Sequence, residues 1–354
     1  MPLPNLDLYW TKSTLFATPA FGTLMPKNRY YLILKFLHFR NNDTMPKSDS
    51  VEHEKIREVY DLMTSAFSTA YTPGREVCID EGMIHWFGCG FRTYIPSKRA
   101  KYGMKAYKLC EDSGYTYRFQ LYIGQSRVTV DDKNFSILER LIMELKDGLL
   151  YEGRVLYMDN FYNSPKLAKM LYDQKTHVVG TLRMNHLNIP KDLTKLKLKP
   201  GEVQYRTCYP ITVLVWHDKR DVNITTTLHD ASMDVVPGKT NRQTGQPISK
   251  PKAIIDYNHH MGSVDKPDQL VLVNSSVRKT RKWTKKLFFH LLDLSTTNAY
   301  LLYCKQVKKV KHLNFVQNII QNLVSSSTED GEISRRARPG RFSSDNCTTL
   351  SRVQ

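Results

Sequence analysis

The chain has 354 residues, 41% hydrophobic and 11% aromatic, which suits one large or several smaller domains with cores and not a disordered polymer. Lys plus Arg number 52 against 34 Asp plus Glu, and the formal charge of +18 points to a polyanionic partner, since such side chains displace the counterions condensed on phosphates. No apolar run reaches the ~18 residues of a membrane span, no secretory leader opens the sequence, and the six cysteines form no CxxC pair, which argues against a membrane enzyme, a disulfide framework and a cysteine-built zinc site.

Taken in order, residues 1–70 read as helical and irregular. Residues 29–39 place apolar side chains on more than one helical face, the pattern of a buried helix. A second helix is predicted over 51–69, with Ile56, Val59, Tyr60, Met63 and Phe67 on one face, and Thr72-Pro73-Gly74 ends it. Strand patterns follow. The run Val77-Cys78-Ile79 delivers Asp80 at its end, and short strands are predicted over 83–87, 105–110 and 117–123.

A helix over 134–146 leads to a strand over 154–158 that ends on Asp159. Ser164-Pro165 is an N-cap followed by an N1 proline, opening a helix through Gln174, and 177–182 is the next strand. The result is a mixed α/β sheet with two acids at strand ends. Residues 188–253 read as a small, mostly-β insertion. From Tyr257 the chain is helical again and carries Asp265 and Asp268. Residues 277–312 are intensely basic, and 326–354, poor in large apolar residues, read as a disordered tail.

The chemistry is suggested by Asp80, Asp159 and Asp265. Two divalent cations about 3.5–4 Å apart can activate a nucleophile and stabilise the leaving oxygen of a phosphodiester, and hard ions such as Mg²⁺ take carboxylate oxygens. Spacing alone leaves two readings open, metal ligands or ordinary turn and cap residues. Asp265 and Asp268 share a helical face. Arg92, Lys98, Arg99, Lys101 and Lys105 read as phosphate contacts or as a solvated charged loop. Tyr94, Tyr102 and Trp86 read as base-stacking residues or as core. Trp283, within the basic run of Arg278, Lys279, Arg281, Lys282 and Lys285, is the better stacking candidate. His259 and His260 are adjacent on a helix and should point apart, so no paired-histidine metal site is expected. Asn160 orients a bound water or caps its loop.

The block EVCIDEGMIHWFGCGFRTYIPSKRAKYGMKAYKLCEDSG closely resembles the first catalytic block of piggyBac-family transposases. VLYMDNFYNSPKLAKML resembles the second and DYNHHMGSVDKPDQL the third, while TPAFGTLMPKNRYYLILKFLHFRNND resembles the N-terminal helical region. The resemblance covers about residues 6–325. It implies an α/β, RNase H-like mixed-sheet catalytic core with metal-binding Asp80, Asp159 and Asp265, and Asp268 as an accessory acid. The implied cofactor is a pair of Mg²⁺ or Mn²⁺ ions.

The implied domains are a helical DNA-binding and dimerisation part over 1–74, the core over 75–187 and 254–274, the β-rich insertion over 188–253, and a second basic helical part over 275–325. The implied reaction is cut-and-paste DNA transposition: nicking, hairpin formation by the freed 3′-hydroxyl, and insertion at TTAA. The implied partners are double-stranded DNA and a second copy of the chain, in the nucleus. Ser263 stands where the family has glycine. The family commonly ends in a cysteine-rich zinc-binding domain, but from Ser325 onward this sequence holds only Cys347. No structural zinc is therefore expected, and the chain reads as a truncated copy or as a domesticated DNA- or chromatin-binding descendant without turnover.

Overall fold

The computed structural model describes residues 3, 5–41, 43, 53–88, 92–96, 98, 100–124, 135–240, 245–273, 275–276, 280 and 282–336, the last ten by backbone alone. The chain divides into two units, residues 1–37 with 310–354 and residues 38–309. The first begins with a 3₁₀ turn, Leu6–Trp10, capped by the Asn5 side chain, and continues in α1 (Pro19–Leu24) and α2 (Lys27–Phe36). The Trp10 indole donates to the Met25 carbonyl at 2.7 Å and ties the turn to the segment between the helices. No α2 residue is buried, and Leu32, Ile33 and Phe36 are exposed, contrary to the buried helix predicted here. Periodicity reports the helix but not what covers it.

In the second unit, α3 (Arg57–Ala70) precedes β1 (Glu76–His85), β2 (Arg92–Tyr94), β3 (Tyr102–Glu111) and β4 (Thr116–Leu121). Then come α4 (Ile137–Leu145), β5 (Val155–Met158), α5 (Pro165–Asp173) and β6 (His177–Thr181). Ser136 and Glu139 form a capping box on α4. The Ser164 side chain caps α5 with Pro165 in its first turn, as predicted. Strands β7 (Val203–Cys208), β8 (Ile211–His217), β9 (Asp221–Thr226), β10 (Met233–Thr240) and β11 (Pro247–Pro251) follow. The unit closes with α6 (Lys252–His260), α7 (Asp265–Val273) and α8 (Trp283–Gln306).

One nine-stranded mixed sheet runs β2-β3-β1-β5-β6-β9-β8-β7, with β4 also on β3. β1, β5 and β6 are parallel and their neighbours antiparallel, the arrangement of an RNase H-like core. β7, β8 and β9 extend the central sheet through β6, and β10 with β11 forms a separate hairpin.

Alternation along the strands sorts the core into two faces. Val77, Ile79, Leu156 and Met158 pack with Leu141 and Ile142 of α4 and Leu167 and Leu171 of α5. Cys78, Val155 and Tyr157 pack with Ala253 and Ile254 of α6. A further cluster joins Phe67 of α3, Met104 and Leu287, Leu291 and Leu294 of α8. Cys78 and Cys110 are buried, and Cys208 is exposed.

In the first unit, α9 (His312–Arg336) continues eleven residues into the predicted disordered tail, and residues 337–354 lie outside the described set. Among the described residues no helix is long and apolar enough to cross a membrane.

Candidate functional site

Asp80 lies within β1, not at its end as predicted; it is the parallel partner β5 that ends beside it. Ile79 is in register with Met158, so the following residues on the two strands, Asp80 and Asp159, are neighbours. Both continue the alternation of Cys78 and Tyr157 and therefore share the sheet face that carries α6. Asp265 opens α7 on that face. Its Oδ1 is 3.3 Å from Lys98 Nζ, which is also 2.9 Å from Asp80 Oδ2. Two of the three acids thus share one ammonium. Asp265 and Lys98 line an open groove of about 770 Å³ together with Met83, His85, Asp268 and Lys286.

Burial pushes the Asp80 carboxyl up to about 7, with the neighbouring Glu81 adding to it, against the pull of Lys98. Burial pulls the Lys98 ammonium down, but Asp80 and then Asp265 outweigh it and hold it above the ordinary lysine value. Burial also raises Asp159, opposed by the Phe161 amide, which donates to its Oδ1 at 2.8 Å. Asn160 accepts from Arg183 Nε at 3.1 Å, so its side chain braces the loop after β5.

Lys108 is in register with Asp80 and buried, and its ammonium donates to Oδ1 of Asp268. Asp268, expected as an accessory acid, thus also ties α7 to β3. Gly82 makes room for this contact, because a Cβ there would stand 2.6 Å from Lys108 Cε and 3.2 Å from Asp268 Oδ2. Glu81, beside Asp80, accepts from Lys105 at 2.9 Å. Glu81, Gly82 and Lys108 were not singled out from the sequence. Their signal was the length of β1 and β3, which sets Asp80 opposite Lys108, Glu81 opposite Tyr107 and Gly82 opposite Ala106.

Several predicted DNA contacts sit elsewhere than expected. Lys105 is buried between Glu81 and the rings of Tyr107 and Phe161, 4.7 and 4.6 Å away, so it is no phosphate contact. Lys98 belongs to the acid cluster rather than to a solvated loop. Lys285 is buried in α8, and Trp283 and Trp86 pack in the core formed with α3 and α8. Arg92, Lys101, Tyr94, Tyr102 and Lys282 are exposed. Tyr94 and Tyr102 lie 4.7 Å apart with the Arg92 guanidinium 5.6 Å from the Tyr102 ring. Arg99, Arg278, Lys279 and Arg281 lie outside the described residues.

The donor set of Asp80, Asp159 and Asp265 suits hard cations, being all carboxylate oxygens around a space already attractive to a cation. Among the described residues, one trio of His, Cys, Asp or Glu has its ligand atoms all within 4.8 Å of one another, and it is Asp112, His259 and His260. The three candidate acids are spread more widely than that, with Lys98 between two of them.

The family model described as Transposase IS4 matches residues 1–300. The chain is 23% identical over 352 residues to the human PiggyBac transposable element-derived protein 2 and 21% identical over 349 residues to the human PiggyBac transposable element-derived protein 3. Both alignments take in 95% of this chain, which spans 58% of the length of each relative. Its structure is similar to that of a piggyBac transposase solved by cryo-EM as a synaptic complex with hairpin DNA. The TM-score is 0.78 at 26% identity, covering 95% of this chain and 70% of that one.

Proposed function

The chain belongs to the piggyBac-type Transposase IS4 family, and on that premise we propose that it is a metal-dependent DNA strand-cleaving and strand-transferring enzyme with Asp80, Asp159 and Asp265 as its catalytic acids. The observation that carries the reading is the sharing of the Lys98 ammonium by Asp80 and Asp265, with Asp159 directly following β5, whose last residue, Met158, is in register with Ile79. Like charges held this close, with Asp80 and Asp159 partly buried and Asp265 exposed, repel one another unless a cation completes the cluster.

Transposases of this kind generally use a divalent metal; here Mg²⁺ or Mn²⁺ held by the three acids would activate the attacking oxygen and stabilise the leaving one. The remaining tasks fall to the chain itself. β1 and β5 hold two acids by backbone register. Lys108 and Asp268 pin α7 so that Asp265 faces them. Lys98 balances the acids when no metal is bound and, once released, stands ready to meet a phosphate oxygen.

The substrate in this reading is double-stranded DNA bearing transposon ends, with nicking, hairpin formation and insertion at TTAA. The +18 charge and the exposed Arg92, Lys101, Tyr94 and Tyr102 support it. Joining two DNA ends requires two sites, hence a homodimer, and the substrate places the protein in the nucleus. A second reading, a domesticated DNA- or chromatin-binding protein without turnover, draws on Lys98, which leaves the cluster partly neutralised without a metal.

The deciding experiment is a nicking and hairpin assay with Mg²⁺ or Mn²⁺ on DNA carrying a TTAA-flanked end, wild type beside Asp159→Ala. Nicking that disappears in the variant supports the enzyme. Tight binding with no nicking in either protein favours the second reading, and nicking that survives Asp159→Ala overturns the assignment of the acids.

A further inference from the structure

A second constellation lies at the turn that leads into Asp265. Asp112 begins the turn between β3 and β4, where Gly114 takes φ +95° and packs so closely on α7 that a Cβ would stand 3.1 Å from both Lys266 and Pro267. Opposite it, α6 ends at His260 and the chain tightens into the 3₁₀ turn Met261–Ser263. Neighbours on a helix splay by about 100°. The His259 and His260 rings nevertheless meet edge to face with centroids 4.7 Å apart, which corrects the expectation that they point apart.

Oδ1 of Asp112 is engaged three times: by His260 Nδ1 at 3.0 Å, by the Ser263 hydroxyl at 3.3 Å and by Lys266 Nζ at 3.5 Å. The Lys266 ammonium also donates to the Asp112 carbonyl. Among the described residues, Asp112 Oδ2 and both ring nitrogens of His259 carry no hydrogen bond. Behind His260, its Nε2 is 3.4 Å from Asp256 Oδ1, and Asp256 Oδ2 accepts the Tyr157 hydroxyl at 2.7 Å and faces His229 Nε2 at 2.8 Å.

A plain Asp112–His260–Asp256 ion relay accounts for part of this. It uses neither His259 nor Asp112 Oδ2. A metal site uses both. A ligating imidazole commonly donates its second N–H to a carboxylate, which fixes its orientation and raises its basicity, and Asp256 stands where that partner would be.

We propose that Asp112, His259 and His260 bind one divalent transition-metal ion of the zinc class, separate from the all-carboxylate site. Two imidazoles and one carboxylate are donors for Zn²⁺, Co²⁺ or Ni²⁺ and poor ones for Mg²⁺. Ligands on one such ion stand roughly 3.3 Å apart at bond lengths near 2.1 Å, so side-chain rotations must close the present spread of up to 4.8 Å. His260 then turns Nδ1 from Asp112 to the ion and keeps Nε2–H on Asp256. The bound ion clasps the β3–β4 turn to the segment just before Asp265, tightening the placement of that acid.

The test uses the untagged full chain, stripped with chelator and kept in excess Mg²⁺ to fill the carboxylate site. Co²⁺ is titrated with the visible ligand-field bands as readout, and Zn²⁺ affinity is measured against a chromophoric chelator. One equivalent is expected, roughly tenfold or more weaker in His259→Ala and in Asp112→Asn and unchanged in Asp80→Asn. His259 is exposed, so its variant keeps the fold, which melting checks. No Co²⁺ band at millimolar metal, wild-type affinity in both site variants, or loss only in Asp80→Asn would each overturn the proposal.

Discussion

The ammonium of Lys98 stands 2.9 Å from Oδ2 of Asp80, and it reaches this acid from a loop eighteen residues further along the chain. The contact puts a positive charge where the proposed chemistry needs one, and it makes the metal-free site a defined state rather than an open cluster of repelling acids.

Replacing Lys98 by Met should therefore lower the melting temperature of the metal-free protein while enlarging the stabilisation by Mn²⁺. The metal concentration for half-maximal stabilisation should fall, because the cation no longer competes with an internal ammonium. Cleavage should fall as well, through the lost phosphate contact. Thermal melting across a Mn²⁺ series checks the first part, and an unchanged metal midpoint would count against Lys98 as a competitor.

Asp80 gives a pH signature. Its carboxyl titrates at about 7 in the folded chain against 3.8 in the unfolded one, so the folded state holds the proton more tightly. Its contribution is complete below about pH 4 and is lost as pH rises through 7, to a total on the order of 4 kcal/mol. Asp80→Asn should stabilise the metal-free protein more at pH 8 than at pH 5, while abolishing cleavage. Denaturant melts at the two pH values test this, and equal differences at both would contradict it.

Gly82→Ala inserts a methyl group against Lys108 and Asp268. We expect a modest stability loss, about 1–3 kcal/mol from overpacking, and a tenfold or greater loss of cleavage, since α7 carries Asp265. A double-variant cycle with Asp268→Asn should show coupling of about 0.5–3 kcal/mol. Strictly additive effects would mean that the glycine matters for another reason.

The exposed and the buried lysines should separate in DNA binding. Arg92→Ala and Lys101→Ala should each reduce the slope of log K against log salt by about 1. Lys105→Met should leave that slope unchanged and cost stability, about 1–3 kcal/mol, by stranding the partly buried Glu81. A salt slope altered by Lys105→Met would return that residue to the DNA surface.

Asp159 was legible from sequence because a short apolar run, an acid and the Ser164-Pro165 cap each carry a local signal, and local signals survive folding. Asp80 was legible as a residue but not as a position. β1 runs on past it to pair with β3, and a strand's length depends on its partner. The depth of Lys98, Lys105, Lys108 and Lys285 was illegible, since a lysine is buried only where a distant carboxylate or ring receives it. The joining of β7, β8 and β9 to the central sheet was hidden for the same reason, because alternation tells which residues face inward but not which edge a strand finds. His259 and His260 were misjudged from ideal helix geometry, which stops at the 3₁₀ turn they border.

Backbone register sets two of the candidate acids, and side-chain contacts set the third. The amides of β1 and β5 lie at the centre of the sheet, so they should exchange with solvent only when the whole unit opens. Those of α7 depend on the Lys108–Asp268 contact and the turn at Asp112, and should exchange through smaller, local openings. Evolutionary or designed changes in activity therefore have one soft place to act. Asp80 and Asp159 can be lost but hardly retuned, whereas Asp265 rides on an element whose residence near them is adjustable in small steps.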